Sequence, residues 1–406
     1  MNTDKRFALH RIVIMLGIVL IYFLQSEIRF LPSALMEEIA GDLQVQLTTV
    51  GNLLSICMVA AAICMFGVSV VVEKLGSVNL LILSALAAGI SGCLASAARS
   101  LALALLAYIF CGICQGTMEC IGMVLVSQLF SAGHRALFCG IICAVSQISC
   151  SISYTLPLFL VDAVGGWRRL ELLWGVLVLA VAVLLFFLGG RKTVGIEKRE
   201  KQGNRQKKEK KEKPGLIKAF RNRFIFLSVM TMVVFIWVNN HYAIYLPTYL
   251  ANVKNFTKEQ AGFATSLMYT CGFIGALVAG LAGEKLRKLL YRYASIFMLA
   301  GGLMLCLFQA STGVLIGAGL FGFFYQMWVP MAMASFMNLE GIQTAVLAGA
   351  TALFNGLGHF LTGFIPSVFT VKLGFMDMYT AYLMTTALLL IPVLLTAAAS
   401  RLKEFQ

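Results

Sequence analysis

Charged residues are scarce in this chain: Asp, Glu, Lys and Arg make up only 12% of its 406 residues. Proline and histidine are also rare, at 7 and 4 residues, whereas 60% of the residues are hydrophobic. A typical soluble domain has roughly 25% charged residues. The shortage of charge therefore excludes a large soluble domain and indicates a chain that lies mostly in a membrane.

Several signatures of enzyme and cofactor chemistry are missing. The sequence has no Gly-rich phosphate loop with Lys-Ser or Lys-Thr, and no HExxH, GxSxG or paired Asp motif. The eleven cysteines lie almost entirely in apolar segments, and Cys111-x-x-Cys114 has no Cys or His cluster beside it in a polar loop. We interpret the cysteines as small buried hydrophobes. The sequence therefore predicts no enzyme, no cofactor and no metal site.

Apolar segments of membrane-spanning length fill most of the chain. A helix needs about 20 residues to cross a bilayer, and open sheets are excluded there because their edges would be unsatisfied in lipid. The first segment is too long for a signal peptide and lacks a small-residue cleavage site. The chain is predicted to be an all-α membrane protein with twelve transmembrane helices, at residues 11–36, 47–72, 77–97, 101–129, 136–161, 170–190, 222–250, 261–283, 290–310, 313–337, 343–366 and 377–399.

One long polar run interrupts the apolar segments. Residues 191–223 contain 14 Lys or Arg and 4 Asp or Glu, so they carry a net charge of +10 out of the formal +14. Such a run cannot bury enough apolar surface to order itself. Nucleic-acid binding is the alternative for a lysine-rich run, but the flanking spans favour a cytoplasmic linker. The predicted organisation is a six-helix half at residues 1–190, a basic linker at 191–221 and a second half at 222–406.

The distribution of positive charge predicts the orientation. An even number of spans puts both termini on one side, and that side holds 25 of the 32 Lys and Arg residues. Because positive loops are retained inside during insertion, both termini are expected in the cytoplasm. The expected location is a plasma membrane, namely the bacterial inner (cytoplasmic) membrane, which the chain crosses many times as a monomer.

The two halves resemble each other in sequence. Leu31-Pro32 aligns with Leu246-Pro247, and after a loop four residues shorter, a constant offset of 211 aligns Gln115 with Gln326. At the same offset Glu73-Lys74-Leu75 falls on Glu284-Lys285-Leu286. Parallel repeats of several spans joined by a polar loop build a number of transporter folds. The repeat predicts two pseudo-symmetric bundles of six helices.

The turn after the second predicted span carries a family pattern. Residues 69–76, SVVVEKLG, resemble the signature loop G-x-x-x-D-[RK]-x-G of the major facilitator superfamily, and residues 280–287 form a second copy. Gly166-Trp167-Arg168 is similar to that family's recurrent GWR before the sixth span. The resemblance covers essentially the whole chain. It implies a secondary transporter that works by alternating access around a central cavity.

Several positions depart from the family pattern. Ser69 and Glu73 replace the usual Gly and Asp, and Gly112 stands where an arginine often precedes the Gln-Gly pair. Residues 150–155, CSISYT, lack the Gly-Pro motif of drug/proton antiporters. These departures make ordinary drug antiport the less favoured function.

The signature loops are predicted to act as gates. Gly76 supplies the backbone freedom that a tight turn requires. A carboxylate beside it can meet a helix N-terminus or a cation across the interface, which stabilises one of two packings of the halves. The alternative is that these charges only fix topology. The predicted gating residues are Glu73, Lys74, Gly76, Glu284 and Lys285.

Polar residues inside spans 1, 4, 7 and 10 are the candidates for a solute site. The resemblance implies that these helices line the cavity, and ionisable groups in a membrane are costly enough to be functional candidates. The predicted solute-binding residues are Tyr22, Gln25, Arg29, Gln115, Asn240, His241, Tyr245, Tyr325, Gln326 and Trp328. Each amide or aromatic residue among them has an alternative role in helix packing.

The charges among these residues suggest a mechanism. Arg29 offers a planar fork of donors, which favours a small organic solute with an anionic or strongly polar group. The predicted proton-coupling residues are Glu119, Glu27 and His359, and Glu27 points about 200° away from its neighbours on the Arg29 face. If the solute takes Arg29, Glu119 is expected to bind a proton, which predicts proton symport. Two alternatives stay open: a multidrug/proton antiporter with Met- and Phe-rich walls, and a membrane sensor that binds without transport.

Overall fold

The computed structural model describes residues 3–129, 132–189, 221–282, 284–337, 354 and 356–402. Within these ranges every regular element is an α-helix. The helices of the first half are α1 (Thr3–Ala34), α2 (Met36–Leu43), α3 (Leu47–Leu75), α4 (Ser77–Ala97), α5 (Leu101–Leu129), α6 (Ala132–Ile152), α7 (Leu156–Val164) and α8 (Trp167–Gly189). Those of the second half are α9 (Arg223–Lys254), α10 (Lys258–Leu281), α11 (Glu284–Leu307), α12 (Ser311–Met337), α13 (Ile365–Phe375), α14 (Met378–Ala387) and α15 (Leu390–Ala399).

The helices have the length and composition of membrane spans. In the part of the chain that the structure describes, ten segments are long and apolar enough to cross a bilayer, and α6 with α7 makes an eleventh. The prediction of an all-α membrane protein is confirmed. Half of the predicted span at 343–366 lies outside the described residues, as does nearly all of the predicted linker.

The fifth predicted span, 136–161, differs from expectation because it is not one straight helix. The segments Ala144–Ile152 and Leu156–Val164 meet at an angle of 50°. Pro157 stands in the first turn of α7. Proline has no N–H to donate and its ring collides with the carbonyl four residues earlier, so the helix breaks before it. The break places residues 153–155 between the two segments.

Helix packing repeats between the halves. Both α3 and α4 lie against α5, and both α10 and α11 lie against α12. Close crossings require glycine: a Cβ on Gly112 would come within 2.2 Å of the Cys57 carbonyl oxygen, and one on Gly322 within 1.8 Å of the Met268 carbonyl oxygen. Cys57 and Met268 are 211 residues apart, the offset that aligns Gln115 with Gln326. The internal repeat is therefore also a repeat of helix crossings.

The end of the bundle where α1 ends and α3 begins is called the distal end below. Here Arg168 at the start of α8 pairs with Asp42 of α2 and donates to the Ala98 carbonyl at 2.7 Å. Trp167 Nε1 also donates to Asp42, at 2.8 Å. The preceding Gly165 has φ 87°, a left-handed conformation that glycine adopts without strain. The Gly-Trp-Arg segment thus connects the start of α8 to α2 and to the residue that follows α4 at this end.

Hydroxyl groups join the two halves near the distal end. Ser33 of α1 donates to the Ala243 carbonyl of α9 at 2.6 Å, and the Tyr154 hydroxyl donates to the same carbonyl at 2.8 Å. The Tyr245 hydroxyl donates to the Thr48 carbonyl of α3 at 2.9 Å. At the surface, Lys258 of α10 pairs with Glu38 of α2 at 3.1 Å. Among the described residues, the hydrogen bonds and ion pairs between halves all lie in the distal half of the bundle, so the distal end is closed.

Candidate functional site

Arg29 of α1 is a buried cation that forms no ion pair with any of the described residues. Its side chain is 9% exposed, and Nη2 donates to Met58 Sδ at 3.3 Å. The guanidinium carbon lies 4.5 Å from the centre of the Phe30 ring, and Nε is buried with no hydrogen-bond partner among the described residues. A thioether and a ring face offset little of the cost of burying a full charge. The charge of this guanidinium is therefore left with little compensation among the described residues.

Glu119 of α5 belongs to the same region but does not pair with Arg29. Its Oε1 accepts a hydrogen bond from Gln115 Nε2 at 2.5 Å, as their spacing of four residues on one helix face allows. Arg29 and Glu119 interact electrostatically, yet no ion pair within 4.0 Å joins them in the described structure. The two groups each hold other contacts, so the predicted charged pair stays a prediction.

The second half contributes three polar side chains to this region. Tyr325 of α12 and His359 each interact electrostatically with both Arg29 and Glu119. Tyr269 of α10 interacts with Arg29 as well. His359 Nδ1 is buried without a hydrogen-bond partner in the described part of the chain. We call Arg29, Glu119, Tyr269, Tyr325 and His359 the central cluster, and four of these five were predicted from the sequence.

Aromatic rings cover the distal side of the central cluster. Tyr154 of the first half stacks on Tyr269 of the second, with ring centres 5.5 Å apart and planes 13° apart. Phe30 packs against both, at 5.0 Å from Tyr154 and 5.9 Å from Tyr269. The ring that contacts the Arg29 guanidinium is therefore part of the aromatic contact between the halves.

The other predicted residues of the first span face neighbouring helices. Gln25 Nε2 donates to Cys111 Sγ of α5 at 3.5 Å, and the Tyr22 hydroxyl lies 3.6 Å from where a Cβ on Gly122 would stand. Glu27 is fully buried on the other side of the helix, where its Oε1 lies 3.1 Å from the Ser153 hydroxyl. The helical spacing thus predicted the direction of Glu27 away from Arg29.

Several predicted residues of the seventh span lie outside the central cluster. Asn240 donates to Thr362 at 2.9 Å within the second half, whereas its neighbour Asn239 reaches the cluster through Tyr269. His241 is buried among aromatic rings, with Phe369 and Tyr382 at 4.8 Å. Together with Tyr245, whose hydroxyl bonds the Thr48 carbonyl, these side chains pack the second half or close the distal end.

The predicted residues of the tenth span also fall into two groups, one inside and one outside the central cluster. Trp328 is fully buried, with Tyr291 at 5.3 Å, Phe354 at 5.8 Å and Phe235 at 5.0 Å between ring centres. Gln326 packs against α10, where its Cγ lies 2.8 Å from the position of a Cβ on Gly272. Of this span, only Tyr325 joins the central cluster.

The predicted gating loops are described in part. Gly76 lies between α3 and α4 with φ 82°, the conformation that favours glycine in a tight turn. Lys285 is exposed at the start of α11. The side chains of Glu73, Lys74 and Glu284 lie outside what the structure describes, so the predicted latch stays a prediction.

Two features of this region were not predicted from the sequence. Glu171 of α8 is fully buried, and its Oε1 lies 2.8 Å from the Tyr108 hydroxyl. The same hydroxyl lies 2.8 Å from the Ile28 carbonyl, one residue before Arg29. Tyr269 was also missed, although the repeat offset of 211 relates it to Met58, which Arg29 contacts. No group of three or more metal-ligating side chains occurs among the described residues.

Comparison with known proteins identifies the family. The model of the Major Facilitator Superfamily matches residues 16–365. Among curated proteins no sequence match is found. Two solved structures of a bacterial homolog to the human lysosomal transporter Spinster have the same fold. The inward-facing, unoccupied conformation has a TM-score of 0.72 and 14% identity, and the inward-facing, occupied conformation has 0.69 and 12%, each over 97% of both chains. The family match covers most of the sequence, and the chain belongs to the major facilitator superfamily.

Proposed function

We propose that this protein is a proton-coupled symporter of a small organic solute with an anionic or strongly polar group. The observation that carries the proposal is Arg29, a buried guanidinium whose contacts are a thioether and an aromatic ring. An unpaired buried charge is costly. A solute carboxylate relieves that cost because it can accept two parallel hydrogen bonds from the guanidinium.

Glu119 provides the coupling to protons. It is half-buried, accepts one hydrogen bond from Gln115, and interacts electrostatically with Arg29 and His359. An anion that binds Arg29 neutralises this cation, and Glu119 is the group that we propose carries a proton together with the solute. Solute and proton then cross the membrane together, which is symport.

The contacts between the halves support alternating access. With both termini in the cytoplasm of a bacterial cell, the distal end faces outward, so the closed distal end separates the central cluster from the outside. Opening that end requires breaking the contacts of Ser33, Tyr154 and Tyr245 with the opposite half. Glu73 and Glu284, with their lysine neighbours, are proposed to latch the opposite packing on the cytoplasmic side.

A binding screen with matched variants tests the solute class. The purified monomer is heated with a panel of metabolites that includes organic anions, hydrophobic cations and neutral sugars. Stabilising ligands are then measured on Arg29→Gln and on Arg99→Gln, which removes an exposed cation. We expect anions to stabilise the wild type and Arg99→Gln, and to bind Arg29→Gln at least about tenfold more weakly. Equal binding to both variants, or stabilisation by hydrophobic cations alone, would contradict the proposal.

A further inference from the structure

Positive charge in the membrane interior is limited to a single residue. Arg29 is the only Lys or Arg that lies more than three residues inside any of the twelve predicted spans. The titratable groups that interact with it are Glu119, His359, three tyrosines and three cysteines, none of which is a permanent cation: Tyr154, Tyr269, Tyr325, Cys57, Cys111 and Cys150. A second anionic group on the solute would therefore meet no cation. Because an unpaired charge in such a site is rejected strongly, the solute carries one negative charge.

The surroundings of Arg29 indicate the rest of the solute. Tyr269 and Tyr325 of the second half interact electrostatically with the first-half cation, and they retain 6% and 7% of their surface exposed. Tyr154 stacks on the Tyr269 ring, so the aromatic contact between the halves lies beside the residue that follows Arg29. Phe30 and Met58 complete an apolar and polarisable wall around the guanidinium. Flat rings gain more from such a wall than alkyl groups of equal size, because they stack at favourable angles.

We propose that the solute of this site is an aromatic monocarboxylate, whose carboxylate binds Arg29 and whose ring stacks on Tyr269. This inference rests on the proposed function. It adds that the aromatic residues select for the ring of the solute, while Arg29 selects for its carboxylate. The ring of such a solute, held between Arg29 of the first half and Tyr269 of the second, contacts both halves at once. Solute binding is thereby linked to the closing of the two halves, as alternating access requires.

Equilibrium binding to the full-length detergent-solubilised protein tests this inference with four probes. Phenylacetate is the predicted class, cyclohexylacetate has the same charge and similar size without the aromatic ring, succinate has a second carboxylate, and phenylalanine adds an ammonium group. We expect phenylacetate to bind about tenfold more tightly than cyclohexylacetate, the upper range of an aromatic pair. Succinate and phenylalanine should bind more weakly still.

Three variants locate the selectivity. Tyr269→Leu should remove the preference for phenylacetate over cyclohexylacetate, whereas Tyr269→Phe, which keeps the ring, should retain it. Tyr293→Leu removes a tyrosine that is 38% exposed on α11 and should change nothing. If Tyr269→Leu fails to fold, two other variants replace it. Tyr269→Phe should keep the preference for phenylacetate, and Tyr269→Ala should lose it.

The outcomes separate this inference from the proposed function. Preference for succinate or phenylalanine, with binding that depends on Arg29, would overturn the aromatic monocarboxylate and leave anion transport intact. Equal binding of phenylacetate and cyclohexylacetate would do the same. Binding of the four probes that is unaffected by Arg29→Gln would overturn both.

Discussion

Arg29 and Glu119 lie in the same central cluster without touching each other. The Arg29 guanidinium donates to Met58 Sδ at 3.3 Å, and the Glu119 carboxylate accepts from Gln115 at 2.5 Å. The group proposed to bind an anion is thus separate from the group proposed to bind a proton. Because the two do not hold each other, each can be substituted without directly breaking a contact of the other.

The distal closure depends on a glycine of α3. A Cβ on Gly51 would lie 2.2 Å from the Tyr245 hydroxyl oxygen and 3.0 Å from an Ile244 methyl group of the opposite half. Gly51→Val should therefore force the distal ends apart, whereas Gly67→Val in the same helix has open space and serves as the control. The measurement is cross-linking between cysteines placed at Glu38 and Lys258. We expect a clear loss of cross-linked protein in Gly51→Val alone; equal yields would contradict the assigned contact.

Glu171 is predicted to stabilise the first half as a neutral acid. The Tyr108 hydroxyl has one hydrogen to donate, and two acceptors lie 2.8 Å away, the Ile28 carbonyl and Glu171 Oε1. A protonated Glu171 supplies the missing hydrogen. Glu171→Gln keeps a donor and should unfold like the wild type, whereas Glu171→Leu should lose about 1–3 kcal/mol of unfolding free energy. Destabilisation by Gln as large as that by Leu would contradict the assignment of a neutral acid.

Trp328 is expected to act through packing rather than solute contact. Its indole is fully buried between the rings of Tyr291 and Phe354. Trp328→Ala should lower the free energy of unfolding by about 3–5 kcal/mol, while Trp328→Phe should bind solute as the wild type does. Tyr325→Leu, in contrast, should weaken solute binding. Thermal unfolding and solute binding measured on the same samples distinguish the two roles. A loss of solute affinity in Trp328→Phe without a loss of stability would indicate that Trp328 contacts the solute.

Topology is tested with a reporter that is active only in the cytoplasm. Fused at Gln202 or after Gln406, the reporter should be active, because both positions lie on the side that holds most of the positive charge. Inserted at Asn255, in the exposed turn between α9 and α10, it should be inactive. Activity at Asn255 would reverse the orientation and with it the assignment of the distal end to the outside.

The sequence predicted the fold because hydropathy and a repeat report directly on span length and order. It also made Arg29 a candidate, since a cation in an apolar segment is conspicuous. It could not separate His241 from the residues of the central cluster, because residues 238–250 of α9 are buried on every side. Helical periodicity marks a face only where another face is exposed. Glu171 was missed because it follows Arg168 and Arg169 near the start of its helix, where a charge suggests an interface.

The most direct test of the central claim is proton movement during solute flux in proteoliposomes. Internal pH is recorded while radiolabelled phenylacetate is followed in the wild type, in Glu119→Gln and in protein-free vesicles, whose passive permeation is subtracted. The account predicts that the wild type moves protons with solute and accumulates it in response to a pH gradient. Glu119→Gln should still exchange solute across the membrane but move no protons and accumulate none. Normal gradient-driven accumulation in Glu119→Gln would contradict the account.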